Sequence, residues 1–391
     1  MGYKSFDEIN EKIKNGKAVV VTAEEIIGIV AEKGSKQAAK EVDVVTTATF
    51  GPMCSSGMFI NFGHSDPPIR MNKVWMNDVQ AYAGIAAVDA YIGATEASES
   101  RGMEYGGAHV IEDFIAGKDI KLYAESYGTD CYPRKEISTC INKNNVNQAF
   151  MFNPRNAYQN YSSATNSSDR ILYTYMGTLL PQCSNVTYST SGELSPLFND
   201  PLYRTIGIGT RVFVGGAQGY VAWEGTQNNP GQQRGENGVP LSPAGTLSII
   251  GDAKEMDTRF IKAAVFEKYG VSLFVGIGIP IPILDEDMLM HTAVKNSEIF
   301  TNIIDYSVFS GPRPILRKVS YEELRSGSVE LNGRVVPTAP MSSLKKAREI
   351  ADILKRQITE GQFFVSQPVA SLPAQDKINK LEVRSNGNEK D

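Results

Sequence analysis

Two of the cysteines lie at positions typical of reactive thiols. Cys54 and Cys131 each lie shortly after a predicted strand, among small or polar residues whose backbone N–H groups are free to stabilise a thiolate. In open α/β sheets the carboxyl ends of the strands form the edge at which ligands bind. Arg134 follows Cys131 closely and is placed to lower the pKa of that thiol. Sequence context alone leaves open whether each thiol is reactive or a packed, inert side chain.

The other cysteines and the histidines show no metal-binding spacing. Cys140 and Cys183 are expected to pack as small hydrophobic residues. No C-x-x-C occurs, and Cys131 and Cys140 are too far apart for the usual zinc pairs, so neither structural zinc nor an internal iron–sulfur cluster is predicted. His64 is a candidate base or substrate-binding residue near Cys54, with a histidine satisfied in a turn as the alternative.

The glycine-rich stretch at residues 206–221 invites a nucleotide-binding interpretation. Its spacing matches neither the G-x-G-x-x-G fingerprint nor the P-loop pattern. Two interpretations stay open, tight turns with close strand packing, or an anion cradle for a carboxylate.

Capping signatures and residue periodicity predict the elements that must hold these residues. Helices are expected at 5–15, 22–34, 110–116, 257–269 and 343–360, and strands at 18–21, 43–50, 120–125 and 271–277. The alternation predicts an α/β fold of layered sheets, with parallel strands and Gly-rich loops at strand ends.

Two subdomains are expected. Residues 1–150 form an N-terminal α/β region that carries both reactive cysteines, and residues 151–373 form a Gly-rich α/β region with a C-terminal helix. Residues 374–391 are predicted to be a disordered tail. An Asn-, Ser- and Tyr-rich stretch at 142–168 is predicted to cover the surface or an opening, as a boundary or lid.

The composition limits the possible partners. The chain has 391 residues, 41% of them hydrophobic, and its net charge of −5 provides no basic surface for nucleic acid or an anionic membrane. The acidic N-terminus lacks a signal-peptide pattern and no apolar run is long enough to span a membrane, so a cytoplasmic location with reduced thiols is expected.

Five motifs carry a resemblance to a known family: TATFGPMCSSG at 47–57, YGTDCYP at 127–133, IGTRVFVGG at 208–216, EGTQ at 224–227 and VGIGIPIP at 275–282. Together they resemble the homocysteine-biosynthesis family of anaerobes, from about residue 5 to 373. The resemblance implies L-aspartate semialdehyde sulfurtransferase activity. Archaeal members often carry a C-terminal pair of CBS modules, which this sequence does not show, so regulation through such modules is not expected.

The implied reaction replaces the aldehyde oxygen of L-aspartate 4-semialdehyde by sulfide sulfur, and it consumes two electrons and two protons. No tightly bound cofactor is expected, so the electrons come from outside or from the chain's own thiols. Our hypothesis is that Cys131 carries a persulfide while Cys54 adds to the aldehyde or resolves the resulting disulfide, with the reverse roles open. The resemblance implies a ferredoxin-type iron–sulfur protein as the external electron donor, and a homodimer is expected.

The charges of the substrate need partners as well. The candidates for its carboxylate are Arg134, Arg211, Arg70 and Arg204, and Glu193 is the candidate for its ammonium group. Two other functions stay open. One is an acyl or CoA transferase with Glu193 or Glu224 as nucleophile, and the other is a non-catalytic sulfur-carrier scaffold.

Overall fold

The computed structural model describes residues 4–373, 378–379 and 381. The predicted C-terminal tail therefore lies almost wholly outside the described residues. The α-helices are α1 (Phe6–Lys14), α2 (Glu25–Lys33), α3 (Ser35–Glu41), α4 (Gly107–Ile115), α5 (Pro196–Asn199), α6 (Glu286–Thr292), α7 (Tyr321–Arg325) and α8 (Leu344–Thr359). Within these ranges no helix has both the length and the apolar character needed to cross a membrane.

The strands are β1 (Val20–Thr22), β2 (Val44–Pro52), β3 (Gly57–Asn61), β4 (Lys73–Met76), β5 (Val79–Ala81), β6 (Asp89–Gly93), β7 (Ala97–Ser98), β8 (Gly102–Gly106), β9 (Ile120–Glu125), β10 (Glu136–Ile141), β11 (Gln148–Asn156), β12 (Ser163–Thr165), β13 (Leu172–Thr174), β14 (Gly177–Leu179), β15 (Val186–Tyr188), β16 (Arg211–Val214), β17 (Ala217–Glu224), β18 (Leu247–Asp252), β19 (Ile261–Phe266), β20 (Gly270–Pro282), β21 (Phe300–Asp305), β22 (Ile315–Ser320), β23 (Ser328–Leu331) and β24 (Arg334–Pro340).

Three sheets and one hairpin contain these strands. The first sheet has ten strands in the order β1-β2-β20-β16-β17-β18-β11-β3-β6, with β19 paired to β20. The second has the order β10-β9-β4-β5-β7-β8, the third has the order β22-β21-β12-β15-β24-β23, and β13 and β14 form the hairpin. Layered sheets with helices confirm the predicted α/β class.

Strand direction differs from the expectation. Among the described strands only the pairs β1–β2, β12–β21 and β15–β24 are parallel, and the other pairs are antiparallel. The predicted subdomain boundary at residue 150 falls inside β11, and both halves of the chain supply strands to the first sheet.

The first sheet is covered on both faces, which explains its near-continuous apolar strands. On one face α1, α2 and α8 pack over β2, and on the other the second sheet and α4 close a larger core. In β20, Gly276 and Gly278 let α8 approach, since a Cβ at either position would lie within about 3 Å of Ile350. The alternating glycines of VGIGIPIP thus serve helix packing.

The glycine pair at 215–216 forms the two-residue turn between β16 and β17, with φ of 60° and 102°. Of the two interpretations of the glycine-rich stretch, these residues therefore fit the tight turn, because both positions need a positive φ. The capping boxes at Ser5 and Thr22 are confirmed by reciprocal hydrogen bonds with Glu8 and Glu25.

The helix predicted at 257–269 is wrong. Residues Ile261–Phe266 form β19, which pairs along its whole length with the start of β20. The turn before Gly270 contains Lys268 with φ of 52°, which is incompatible with a continuing helix. Pairing with the long neighbouring strand overrides the local helical pattern.

Candidate functional site

Cys54 lies in a tight turn that joins two strands of the first sheet. The turn is closed by Ser56, whose backbone N–H and side-chain hydroxyl both donate to the Met53 carbonyl, at 3.0 and 2.7 Å. The thiol lies 3.0 Å from the hydroxyl of Ser272, a buried residue of β20. Burial raises the pKa of Cys54, and the Ser272 hydrogen bond and the charge of Arg155 act in the opposite direction.

This thiol faces a cavity of about 370 Å³. The cavity is formed where the β2–β3 turn meets the chain between β11 and β12, the tip of the β13–β14 hairpin and the turn before β20. Its lining residues are Pro52, Cys54, Ser55, Arg155, Tyr158, Tyr161, Tyr175, Met176, Ser189, Gln227, Tyr269 and Met341. The space therefore combines a thiol, a cation and several phenols.

Arg155 is held in place by the same residue that anchors the cysteine turn. The buried side chain of Asn153 donates to the Ser56 hydroxyl at 2.8 Å and accepts from the Arg155 backbone N–H at 2.9 Å. The register of β11 against β18 shifts between Asn153 and Asn156, which re-aims Arg155. The guanidinium Nε donates to the hydroxyl of Thr226 at 3.0 Å.

A second chamber of about 360 Å³ adjoins the first. The two share Arg155, Tyr158, Tyr161, Tyr175 and Gln227 as lining residues. The second chamber adds Tyr306 and Arg313 from the loop between β21 and β22. Burial raises the pKa of Tyr158 to about 12, so this phenol remains protonated at neutral pH.

Cys131 occupies a different part of the molecule. It is exposed in the loop 126–135, which joins β9 and β10 of the second sheet. The Arg134 guanidinium donates to the carbonyls of Asp66 and Pro67, at 2.7 and 2.9 Å, and so ties this loop to the loop after β3. The ring of the exposed His64 stacks on Tyr132, with centroids 6.0 Å apart. His64 therefore lies beside the Cys131 loop.

The two thiols lie near opposite ends of β3. Cys54 precedes this strand and the loop that contacts the Cys131 segment follows it. A five-residue strand spans roughly 15 Å. Cys131 is not among the residues that line the Cys54 cavity. Contact between the two sulfurs therefore requires movement of a loop.

The other candidate substrate residues also lie outside this cavity. Glu193 accepts from the Asn296 backbone N–H and lies 3.5 Å from Arg325, and burial raises its pKa. Arg211 donates to the Phe364 carbonyl at 3.2 Å, beside the C-terminal segment. The two remaining arginines have surface partners, since Arg70 donates to Tyr127, and Arg204 pairs with Asp285 and Asp287. Glu224 is buried and accepts from Asn228.

Of the two cysteines that were expected to pack as hydrophobic residues, one is buried and the other is exposed. Cys183 is buried in the core of the third sheet, and burial raises its pKa. Cys140 is exposed, because the outer strand β10 directs it to solvent. Among the residues that the structure describes, no group of three or more His, Cys, Asp or Glu side chains is arranged to hold a metal ion.

Sequence reasoning missed most of the cavity wall. Arg155, Tyr158 and Tyr161 lie in the Asn-, Ser- and Tyr-rich stretch that was predicted to cover an opening, and Gln227 ends the EGTQ motif. The signal was a tyrosine-rich segment with few aliphatic residues. This segment lies near Cys54 because β11 pairs with β3, and residue patterns do not reveal that pairing.

Comparison with known proteins adds the family. The family described as "Homocysteine biosynthesis enzyme, sulfur-incorporation" matches residues 18–365. A protein of Methanosarcina acetivorans named L-aspartate semialdehyde sulfurtransferase is 54% identical over 97% of this chain and 74% of its own length. A protein of Methanocaldococcus jannaschii with the same name is 52% identical over 94% of this chain and 73% of its own length. No solved structure gives a significant match.

Proposed function

The chain belongs to the sulfur-incorporating homocysteine biosynthesis enzymes, and from this premise we propose that it makes L-homocysteine from L-aspartate 4-semialdehyde in the Cys54 cavity. The observation that carries the proposal is a thiol and an arginine facing one enclosed space. A thiol is a nucleophile for the aldehyde carbon, and an arginine is a partner for the substrate carboxylate.

In this proposal Arg155 binds the α-carboxylate. Its Nε is engaged by Thr226, which fixes the plane of the guanidinium while the head group faces the cavity. The side-chain oxygen of Gln227 and the phenol oxygens offer acceptors for the substrate ammonium. The aldehyde end of the molecule then lies towards Cys54.

The sulfur and electron balance assigns separate tasks to the two thiols. Aldehyde, hydrogen sulfide, two electrons and two protons give a thiol and water. We propose that the exposed Cys131 takes sulfane sulfur from a persulfide donor, whose own thiol leaves, and that Cys54 adds to the aldehyde carbon.

The outer sulfur of the Cys131 persulfide then replaces the resulting hydroxyl, which leaves as water, and two electrons and two protons release L-homocysteine together with a Cys54–Cys131 disulfide. An external ferredoxin-type iron–sulfur protein supplies these two electrons and two more that reduce the disulfide. Free sulfide is already at the lower oxidation level, so it replaces the hydroxyl directly and needs only the first two electrons.

Transfer between the two thiols needs a change of geometry. Either the loop 126–135 moves towards Cys54, or a second copy of the chain in a homodimer presents its own Cys131. The loop is held to its neighbour through Arg134 and the backbone bridge between Arg134 and Ile69. Earlier in the loop, Tyr127 donates its backbone N–H to Asn72 and accepts from Arg70, and Tyr132 stacks on His64. Movement of the loop must therefore break these contacts as well.

The test is an anaerobic assay of homocysteine formed from L-aspartate semialdehyde, sulfide and a reductant. The wild-type chain is expected to turn over, and Cys54→Ala is expected to abolish the product. Cys140→Ala is the matched control, because it removes an exposed thiol outside the cavity, and it should retain the wild-type rate.

Three outcomes would overturn the proposal. A wild-type chain that gains 32 Da of persulfide sulfur (one sulfur atom) but never converts the aldehyde is a sulfur carrier. A trapped glutamyl thioester at Glu193 or Glu224 indicates an acyl or CoA transferase. Full activity in Cys54→Ala removes the thiol from the reaction.

A further inference from the structure

Tyr175 occupies the boundary between the two chambers. It is the first residue of the two-residue turn that joins β13 and β14, and it lines both cavities. Thr174 shapes this turn, since its hydroxyl accepts from the Met176 backbone N–H and donates to the Gly177 carbonyl, both at 3.0 Å. The hairpin thus carries one phenol to the point where the Cys54 chamber meets the second.

Hydrogen-bonding groups from two other segments converge on the phenol oxygen of Tyr175. The Tyr306 oxygen, directly after β21, lies 3.0 Å away. Tyr161 and Arg313 also form side-chain hydrogen bonds with Tyr175. The Arg313 guanidinium lies 3.8 Å above the ring of Tyr306 and so adds a cation to the same group.

This arrangement favours negative charge on one tyrosine of the cluster. Burial raises the pKa of Tyr175, but the hydrogen bonds from Tyr161, Tyr306 and Arg313 outweigh burial and lower it below the usual value. The pKa values of Tyr161 and Tyr306 are raised, by burial and by Tyr175 itself. Tyr175 is therefore the most acidic of these three phenols.

The groups around Tyr175 link it to the thiol. The ring of Tyr269, from the turn before β20, meets that of Tyr175 edge to face at 6.1 Å. The pKa of Tyr269 is raised by burial and then by the charges of Cys54 and Tyr175, so Tyr269 lies within electrostatic reach of both. The charges of Cys54 and Tyr175 also contribute to raising the pKa of Tyr158, which lies near Arg155.

The reaction under "Proposed function", on which this inference rests, needs a proton carrier at this place. Burial keeps the Cys54 thiol protonated near neutral pH, and sulfur attack must release that proton. The aldehyde oxygen becomes an alkoxide in the same step and needs a proton. Ser272, the hydrogen-bond partner of the thiol, carries a hydroxyl group, which is a poor base.

We propose that Tyr175 is the proton-transfer residue of the Cys54 cavity. Its phenol donates a proton to the aldehyde oxygen as the carbonyl π bond opens, and its oxygen takes up the proton of the thiol while the carbon–sulfur bond forms. The product is a hemithioacetal. The step consumes no external proton or electron, and it leaves Tyr175 in its starting state.

The first test compares Tyr175→Phe with the wild type in the homocysteine assay. We expect kcat to fall by about 10²–10⁴-fold, the usual contribution of a positioned acid–base group, while KM for the aldehyde changes little. Tyr220→Phe is the matched control, because it removes an exposed phenol on β17 that contacts only Gln218 among the described hydrogen bonds. It should retain the wild-type kcat.

A second readout does not depend on activity. Ultraviolet titration of the wild type should show one tyrosine that ionises below the others, and Tyr175→Phe should lose that step. Tyr306→Phe removes a hydrogen-bond partner of Tyr175. The ionisation of Tyr175 and the pH dependence of kcat should therefore both move to higher pH. A purely structural role for Tyr175 predicts neither shift.

The outcomes separate this inference from the proposed function. If the wild type makes homocysteine and Cys54→Ala does not, the proposed function holds. A Tyr175→Phe variant with wild-type kcat and an unchanged tyrosinate titration then overturns the role of Tyr175 alone. An unaltered thermal unfolding midpoint in Tyr175→Phe confirms that any lost turnover reflects chemistry.

Discussion

The Cys54 turn and the Cys131 loop have similar sequence settings and opposite environments. Each cysteine follows a strand among small or polar residues, and Arg134 was predicted to lie within reach of Cys131. Cys54 is half-buried against Ser272 and faces a cavity with Arg155, whereas Cys131 is exposed in a loop of another sheet. From this difference we propose a division of labour, with carbon chemistry at the enclosed thiol and sulfur acquisition at the exposed one.

The two arginines show why sequence distance misleads. Arg134 is close to Cys131 in sequence, but three of its contacts are to the backbone of the loop after β3. Arg155 is distant from Cys54 in sequence, yet its charge acts on that thiol, because β11 pairs with the strand that follows the cysteine turn. The role of Arg134 in substrate binding stays a prediction.

The largest expected effect belongs to Cys54. Cys54→Ser keeps the size of the side chain but replaces a strong nucleophile by a weak one, so homocysteine formation should fall by at least roughly 10³-fold. Steady-state kinetics with saturating sulfide and reductant measure this loss. A loss smaller than that of Cys131→Ser would reverse the division of labour.

Arg155 is the next most sensitive position. Arg155→Gln removes the cation that faces the substrate carboxylate, so KM for L-aspartate semialdehyde should rise by about 10–100-fold, the value of a charge-assisted hydrogen bond. Arg155→Lys should restore part of the affinity, because it keeps the charge without the bidentate geometry. An unchanged KM in Arg155→Gln would place the carboxylate elsewhere.

Cys131→Ser should have a smaller effect when free sulfide is abundant. The exposed thiol collects sulfur, and dissolved sulfide can replace that task in part, so we expect a loss of about tenfold, or ~1.4 kcal/mol in the barrier. The loss should grow as sulfide is lowered. A loss that equals that of Cys54→Ser at every sulfide concentration would mean that both thiols serve one indispensable step.

The smallest effect is a difference in labelling rate. With iodoacetamide near neutral pH, the exposed Cys131 and Cys140 should react before Cys54, and the buried Cys183 should react last. Because only the thiolate reacts and the pKa of Cys54 is raised, labelling of Cys54 should accelerate as the pH increases through that raised value. Peptide mass spectrometry follows each site, and rapid labelling of Cys54 at neutral pH would contradict its burial.

Local rules predicted part of this molecule well. The capping boxes, the strand Ile120–Glu125 and the amphipathic helix α8 follow from nearest-neighbour chemistry and are confirmed. The position of Cys54 just after a strand also follows from these local rules, whereas its catalytic role stays a prediction. The cavity wall was not, since Arg155, Tyr175 and Tyr306 come from three separate segments that only tertiary pairing brings together. The same limit explains β19, where pairing with β20 overrides a helical pattern.

Substrate protection tests whether the substrate carbon binds at Cys54. The chain is labelled with iodoacetamide in the presence of increasing L-aspartate semialdehyde, without sulfide or reductant, and each cysteine is quantified by peptide mass spectrometry. Propanal at the same concentrations controls for the aldehyde group alone. We expect saturable protection of Cys54 by the amino acid but not by propanal, with Cys131 unaffected. Protection of Cys131 with Cys54 still freely labelled would contradict binding at Cys54.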